Sequence, residues 1–295
     1  MKFGKVADPS LVDFALPATH PETFRVLNRY ANRNDFEVFV GCAKWNKNDL
    51  KGFYPRGTKD ELTYYATQFN SIEMNATFYN TPSKAQVEIW KDKTPGDFKF
   101  FPKIPQSISH YSRLLNVDEK VTAFTDAVAF FEEQLGAIFL QLHDNFHPKD
   151  LERLAHFIER FPKAFPLAVE VRNNEWFANE DIFNAYCNLL ERNNCANILV
   201  DTAGRRDMLH MRLTNDTAFV RYVGANHPSD YHRLDEWLNR IAEWKKAGLQ
   251  KLYFFIHQNI EVASPLLATY FIQKLNERFN QQLRYPNKQT QTSLF

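Results

Sequence analysis

The sequence has few cysteines and no long apolar run, and each absence argues against a class of protein. The three cysteines, Cys42, Cys187 and Cys195, show no CxxC spacing, which suits a reducing compartment better than a disulfide framework. No stretch approaches the ~20 apolar residues of a membrane-spanning helix, and the N-terminus lacks an apolar core of signal-peptide length. We therefore expect a cytoplasmic protein that does not enter the membrane.

Charge and motifs argue against further classes. The 36 Lys and Arg residues balance the 35 Asp and Glu residues, and this net charge of +1 argues against a broad surface for nucleic acid or anionic membranes. The chain has no GxSxG, P-loop, GxGxxG or HExxH motif. A metal held by His143, Asp144, His147 and His257 is one reading, but the loop spacing favours surface histidines. Cys42 could also act as a thiol nucleophile, but we favour the alternative that it is a buried, inert cysteine.

Eight short apolar runs alternate with helix-like stretches and carry polar or charged residues near their ends. This repetition predicts an α/β fold of the (β/α)₈ TIM-barrel class, whose chemistry lies where the strands end. The runs cover residues 37–42, 72–75, 97–103, 137–142, 167–172, 197–201, 218–223 and 252–257. The helix-like stretches cover 59–69, 83–93, 117–134, 149–160, 180–193, 231–247 and 262–280.

The same pattern predicts one domain. No Pro-, Gly- or Ser-rich linker interrupts residues 36–280, which we assign to the barrel. Residues 1–35 are predicted to form an N-terminal extension that packs on the barrel, and residues 281–295 a flexible polar tail.

Alternation along the strands predicts which side chains point into the barrel. Because neighbouring residues of a strand face opposite sides, the aliphatic face of each run should meet the helices, and the face with the polar tip should line the barrel mouth. The predicted inward ring consists of Glu73, Asn75, Lys103, Gln141, Glu170, Arg172, Asp201, Arg221 and His257.

Convergent charges of this kind favour a polar substrate pocket. Glu73 and Glu170 are the best candidates for acid–base chemistry, and Asp201 and His257 complete the predicted catalytic set. Lys103, Arg172 and Arg221 are expected to hold negative charge. The alternative is a salt-bridge network that satisfies itself and only closes the barrel mouth, since unpaired buried charge is costly.

Seven segments occur in the order of one known family. They are GCAKW (41–45), FYP (53–55), IEMNATFY (72–79), ISHYSRL (108–114), FLQL (139–142), AVEVRNNEW (168–176) and RYVG (221–224). On these segments, over about residues 37–275, the chain resembles the YecE-like family, the bacterial domain of unknown function seventy-two. The resemblance implies a TIM barrel and supplies no reaction, because the activity of that family is not established.

The resemblance also marks loop residues and departures. Aromatics beside cations in the matched loops can stack on sugars or bases, although the two tryptophans are equally expected to cap the barrel by packing. The full predicted substrate-binding set is Trp45, Asn75, Tyr79, Lys103, His110, Arg113, Gln141, Arg172, Trp176 and Arg221. The chain departs from the family pattern at Cys42, Ala43, Lys44, His143, Asp144, Asn173 and Val223. The last two replace histidines, so chemistry that depends on histidine at those positions is not expected.

Three functions stay open at this point. The leading hypothesis is an enzyme that acts on a polar or anionic substrate, bearing sugar or phosphate, by carboxylate acid–base chemistry. The second is a nucleic-acid-processing or repair-associated protein that the C-terminal QTSLF recruits to the sliding clamp, with further support from Arg113, Arg205, Arg206 and the loop aromatics. The third is a barrel that binds without catalysis. The sequence identifies no cofactor.

The last five residues, QTSLF, resemble the bacterial sliding-clamp-binding peptide. Leu294 and Phe295 would enter an apolar groove while Gln291 supplies an orienting hydrogen bond. Thr292 stands where that peptide usually has Leu, which weakens the match.

Deletion of residues 291–295 tests this resemblance. If the peptide binds the clamp, a pull-down with the full chain recovers the clamp and the truncated chain does not, because both apolar anchors are lost. Equal recovery with both chains would remove the idea.

Overall fold

The computed structural model describes residues 4–33 and 35–286, in which eight parallel strands form a nearly closed barrel. The hydrogen-bonded order is β3-β2-β1-β8-β7-β6-β5-β4. The predicted TIM-barrel class is confirmed, and each strand falls on a predicted apolar run. The strands are β1 (Glu37–Cys42), β2 (Ser71–Met74), β3 (Lys99–Pro102), β4 (Ile138–Gln141), β5 (Leu167–Glu170), β6 (Ala196–Asp201), β7 (Thr217–Gly224) and β8 (Lys251–Gln258).

Helices cover the outside of the strands. Local signals begin and end them: Asp60 accepts from the Thr63 amide at the start of the second helix, and Gly248, at φ +119°, ends the eighth. No helix in the described ranges combines the length and apolar character needed to cross a membrane. The helices are α1 (Pro21–Leu27), α2 (Glu61–Gln68), α3 (Ala76–Tyr79), α4 (Lys84–Asp92), α5 (Asp118–Val128), α6 (Leu151–Arg160), α7 (Glu180–Arg192), α8 (Ser229–Ala247) and α9 (Ser264–Phe279).

The barrel closes weakly between β3 and β4. This seam has two isolated parallel bridges, Phe100 with Leu135 and Lys103 with Phe139, and the Ile104 amide donates to the Phe139 carbonyl over 2.9 Å. Lys103 directly follows β3 and forms one of the two bridges that close the barrel, so it lies at this seam.

Alternation along the strands separates two apolar cores. The inner core is aromatic: Phe101 lies 4.8 Å from Phe255 and 4.7 Å from Tyr253 between ring centroids, and Phe219 joins them. The outer core holds the aliphatic face of the same strands against the helices. The aromatic layer fills the barrel, so polar side chains at the strand ends rest on it and do not enter an open channel.

Asp201 is an exception to the predicted inward ring, and that prediction is wrong. Ile198 and Val200 face the inner core, so Asp201 at the end of β6 points outward to α8. It accepts from Arg233 over 2.6 Å and from the Trp237 indole over 2.8 Å. Burial opposes ionisation of Asp201, but Arg233 and Arg206 outweigh it and lower its pKa. Asp201 therefore joins β6 to α8.

The N-terminal segment lies over this side of the barrel. Gly4 accepts at its carbonyl from the Gly204 amide over 2.8 Å, and Phe14 packs 4.3 Å from the Arg233 guanidinium. Near the other end of the chain, Arg284 donates to the Phe69 carbonyl over 2.8 Å, so residues 281–286 of the predicted tail contact the barrel. The predicted clamp-binding residues Gln291, Leu294 and Phe295 lie outside the described residues.

We expect Asp201→Asn to lower the free energy of unfolding by about 3 kcal/mol, because it leaves the fully buried Arg233 without its closest counter-charge. Denaturant unfolding measures this loss. The control is Asp118→Asn, which removes an exposed ion pair with Arg160 and should cost less than about 1 kcal/mol. Equal losses in the two variants would contradict the structural role of Asp201.

Candidate functional site

Arg221, near the end of β7, is the centre of the polar layer at the barrel mouth. Its Nε and Nη2 donate to the two carboxylate oxygens of Glu73, each over 2.8 Å, and its Nη1 donates to Glu170 Oε2 over 2.6 Å. The guanidinium lies 5.6 Å from the centroid of the Phe139 ring below it. One cation thus bridges carboxylates from β2 and β5, and all three groups are buried.

Glu73 is saturated with hydrogen-bond partners. Besides Arg221, its Oε1 accepts from Asn75 Nδ2 over 2.8 Å, and its Oε2 lies 3.0 Å from His257 Nε2. Burial opposes ionisation of Glu73, but Arg221 and His257 outweigh it and hold its pKa well below the ordinary value. Glu73 is a fixed carboxylate at physiological pH and has no raised affinity for a proton.

Glu170 is held in the same way. Its Oε1 accepts from Arg172 Nε over 2.7 Å and from Gln141 Nε2 over 2.9 Å, while Arg221 occupies Oε2. Burial raises the cost of its charge, but Arg221 and Arg172 lower its pKa to about 2. Both carboxylates predicted to perform acid–base chemistry are therefore ionised and paired with cations.

Lys103 follows β3 and completes the layer. Its Nζ donates to Gln141 Oε1 over 2.8 Å and lies 4.1 Å from the centroid of the Phe78 ring. Burial, with Arg221 and Arg172 nearby, lowers its pKa to about 7. The Lys103 ammonium therefore loses its proton far more readily than an exposed lysine does.

Above the layer lies a cavity of about 340 Å³. Lys103 and Arg172 are the cations nearest its floor, and Lys44, Asp144 and Glu261 supply charge at its rim. The remaining lining residues are Ala43, Asn75, Phe78, Tyr79, Gln106, His110, Gln141, His143 and His257.

His110 enters the cavity from a π-helical turn (Ser107–Tyr111), a departure from α-geometry that is common at functional sites. Ser109 Oγ lies 2.8 Å from His110 Nδ1, and the imidazole meets the Phe78 and His143 rings edge-on at 4.9 and 5.1 Å. Burial and the neighbouring His143 lower the pKa of His110 to about 4. His110 is therefore a neutral imidazole at pH 7.

The structure brings together eight of the nine residues predicted to form the ring, with Asp201 as the exception. Tyr79 and His110, predicted from the loops, also line the cavity. The catalytic and substrate-binding roles of all these residues stay predictions.

Three predicted loop residues do not line this cavity. Trp176 is fully buried, and its indole donates to the Phe146 carbonyl over 2.8 Å. Trp45 packs edge-on against Trp90. Arg113 donates to the Asn145 carbonyl over 2.7 Å and ties two loops together. Each was identified by residue type in a loop, and residue type does not determine the direction of a side chain.

Several residues that line the cavity were not predicted from the sequence. Phe78 is next to Tyr79 in a segment that matches the family, so its position could have been predicted. No feature of the sequence indicates that Gln106 and Glu261 line the cavity. Cys42 faces the outer core, and burial raises its pKa well above the ordinary value, as expected for an inert thiol. Among residues 4–33 and 35–286, no three His, Cys, Asp or Glu side chains are grouped to hold a metal ion.

Comparison with known proteins finds the same family throughout. A family model described as "Protein of unknown function DUF72" matches residues 39–292. The UPF0759 protein YecE of Escherichia coli is 26% identical over 280 residues, which is 88% of this chain and all of that protein. The UPF0759 protein YunF of Bacillus subtilis is 25% identical over 151 residues, 48% of this chain and 52% of YunF.

Two solved structures share the fold. A DUF72 family protein from Enterococcus faecalis has a TM-score of 0.66 at 18% identity, covering 83% of this chain and 99% of its own. A DUF72 family protein from Thermotoga maritima has a TM-score of 0.64 at 24% identity, covering 81% and 99%.

The pairing of Glu170 predicts how stability depends on pH. A pKa lowered from ~4.3 in the unfolded chain to about 2 stabilises the fold above about pH 4.3, and this contribution of about 3 kcal/mol is lost as pH falls toward 2. Between about pH 4.3 and pH 2, the free energy of unfolding of Glu170→Gln should therefore decline by about 3 kcal/mol less than that of the wild type.

Denaturant unfolding from pH 7 to pH 2 measures both declines. Glu119→Gln, which removes an exposed carboxylate of α5, is the control and should keep the wild-type decline. A Glu170→Gln profile as steep as the wild-type profile would contradict the ion-paired state of Glu170.

Proposed function

The chain belongs to the DUF72 family, a family of unknown function, and we propose that its barrel mouth is an active site for a small anionic substrate. In this proposal Lys103 and Arg172 bind the negative charge and Lys103 transfers protons. The observation that carries it is the placement of Lys103 and Arg172 on the lining of a cavity of about 340 Å³, above two carboxylates that are already paired with arginines.

The charges of the layer support an anion. Glu73 and Glu170 are the two carboxylates of the buried layer, and Lys103, Arg172 and Arg221 are its Lys and Arg cations. At the rim, Lys44 adds a cation and Asp144 and Glu261 add carboxylates. Arg221 is enclosed by the carboxylates, whereas Lys103 and Arg172 line the cavity. A ligand carboxylate or phosphate at the floor would balance this charge in a site that burial keeps poorly solvated.

The size of the cavity supports a small substrate. A volume of about 340 Å³ lies at the lower end of the ~300–1,000 Å³ found for small-molecule sites. The amide side chains of Asn75, Gln106 and Gln141 add polar groups to the lining of this cavity. A compound of the size of a triose phosphate or a short oxo-acid fits both the volume and this lining.

The chemistry assigned here differs from the carboxylate mechanism expected from the sequence. Glu73 and Glu170 accept only from fixed partners, and their lowered pKa values make them weak bases. We assign them the positioning of Arg221 and Arg172. Lys103, whose pKa is about 7, is matched to proton transfer near neutral pH.

The nucleic-acid hypothesis has less support from the side chains. Arg113 and Arg206 bind backbone carbonyls of this chain, Asn145 for the first and Phe14 for the second. Arg205 forms an ion pair with Asp207 and donates to the Arg172 carbonyl over 2.6 Å. Because these arginines are engaged within the protein, they favour loop anchoring over contact with a phosphate backbone.

Binding of inorganic phosphate tests the anion site. Arg172→Gln should weaken phosphate binding roughly tenfold or more, because it removes one charge-assisted interaction worth about 1.5–3 kcal/mol. Titration calorimetry at low ionic strength gives the dissociation constants. Arg160→Gln, which removes an exposed arginine of α6, is the matched control and should bind as the wild type does.

A second variant and a turnover screen complete the test. Lys103→Met should also weaken phosphate binding and should abolish any turnover found in a panel of small phosphates and oxo-acids. Equal phosphate affinity in Arg172→Gln and Arg160→Gln would refute the anion site. Binding with no turnover anywhere in the panel would refute the catalytic part and favour a barrel that only binds.

A further inference from the structure

We propose that Lys103 is a nucleophilic amine that forms an imine with the carbonyl carbon of a small anionic aldehyde or ketone. This inference rests on the proposed function and names its substrate class, an oxo-compound that carries a phosphate or a carboxylate. In it, nucleophilic attack by the free amine of Lys103 takes the place of proton transfer, and Arg172 binds the anion.

The backbone at Lys103 is fixed from both sides of the barrel seam. Its amide donates to the Met74 carbonyl over 3.2 Å, its carbonyl accepts from Thr77 Oγ1 over 2.7 Å, and it bridges to Phe139 of β4. The side chain is 5% exposed and lines the cavity. A nucleophile needs this combination of a rigid base and an amine that ends at the substrate space.

The partners of Nζ suit an amine that loses its proton. Gln141 Oε1 accepts one N–H and the Phe78 ring lies beneath Nζ. Within the described ranges Lys103 forms no salt bridge, because Arg221 and Arg172 take the oxygens of Glu73 and Glu170. Burial and neighbouring cations both lower the pKa of a lysine, and no paired carboxylate opposes them here, so the neutral amine is favoured.

Charge around Lys103 comes from every neighbouring strand end. Burial, with Arg221 and Arg172, disfavours the ammonium and together they outweigh Glu170 and Glu73, which favour it; the pKa of Lys103 is lowered to about 7. His110, which feels the Lys103 charge, is neutral at this pH. A large share of Lys103 is then free amine at pH 7, whereas an exposed lysine with a pKa of ~10.4 is almost entirely protonated at that pH.

The step is balanced without a further reactant. The neutral Lys103 nitrogen adds to the carbonyl carbon and gives a carbinolamine. The two N–H protons of the amine leave with the former carbonyl oxygen as water, and a C=N bond remains. A protonated imine would keep the positive charge above the Phe78 ring, a placement stabilised by the cation–π interaction, while Arg172 holds the anionic group of the substrate.

Reductive trapping tests the imine on the wild-type protein. Glyceraldehyde 3-phosphate is the probe, sodium cyanoborohydride reduces any imine to a stable secondary amine, and peptide mass mapping locates it. At pH 7, Lys103 should be labelled at least tenfold faster than Lys44, the partly exposed lysine at the rim of the same cavity. Inorganic phosphate should slow the labelling of Lys103 and leave that of Lys44 unchanged.

Two controls separate the amine from the anion site. Neutral glyceraldehyde should label Lys103 at least tenfold more slowly than the phosphorylated probe, because it lacks the anion that Arg172 binds. Lys103→Arg keeps the cation but has no amine, so it should still bind inorganic phosphate and show no label in this peptide.

The outcomes are distinguishable. Phosphate binding that depends on Arg172, together with labelling of Lys103 no faster than Lys44, would overturn the imine and leave the proposed function standing. Absence of phosphate binding and of phosphate protection would overturn the proposed function itself. Selective labelling of Lys103 that phosphate suppresses supports both.

Discussion

The ion-pair bridge through Arg221 determines the arrangement of the barrel mouth. A single guanidinium binds Glu73 with two nitrogens and Glu170 with a third, and it connects β7 to β2 and β5 across the barrel. Buried charges are stable only when each is compensated, so these three groups must stay together. The positions of Arg172, Gln141, Asn75 and His257 follow, because each donates to, or lies beside, one of the two carboxylates.

This bridge also separates structural charge from charge available to a ligand. The two carboxylates accept from all three nitrogens of Arg221, and Lys103 donates instead to the amide oxygen of Gln141. Lys103 lies where the barrel is least regular, at the seam between β3 and β4. A weak seam with few backbone hydrogen bonds gives room for the loop between β3 and α5, whose π-helical turn brings His110 to the cavity.

Much of this could be predicted from residue spacing. Period-two alternation in β5 separates Val169 from Ala168 and Glu170, and in β7 it separates Val220 from Phe219 and Arg221. Alternation also holds in β6, but both of its faces carry aliphatic residues, so the pattern does not indicate that Asp201 points outward to Arg233 on α8. The strand pattern does not show that a helix supplies the counter-charge, as Arg233 of α8 does for Asp201. The direction of a charged side chain at a strand end is therefore not determined until the helices are placed.

The sequence by itself determined the barrel class, the strand and helix segments and most of the inward ring, because these depend on local periodicity and on side-chain direction along a strand. Tertiary structure alone decided the states of the side chains: which carboxylates are paired, which tryptophans are buried and which lysine faces the cavity without a carboxylate partner. Pairing and burial depend on distances between segments far apart in the chain, and electrostatic energies in a poorly solvated interior change steeply with those distances.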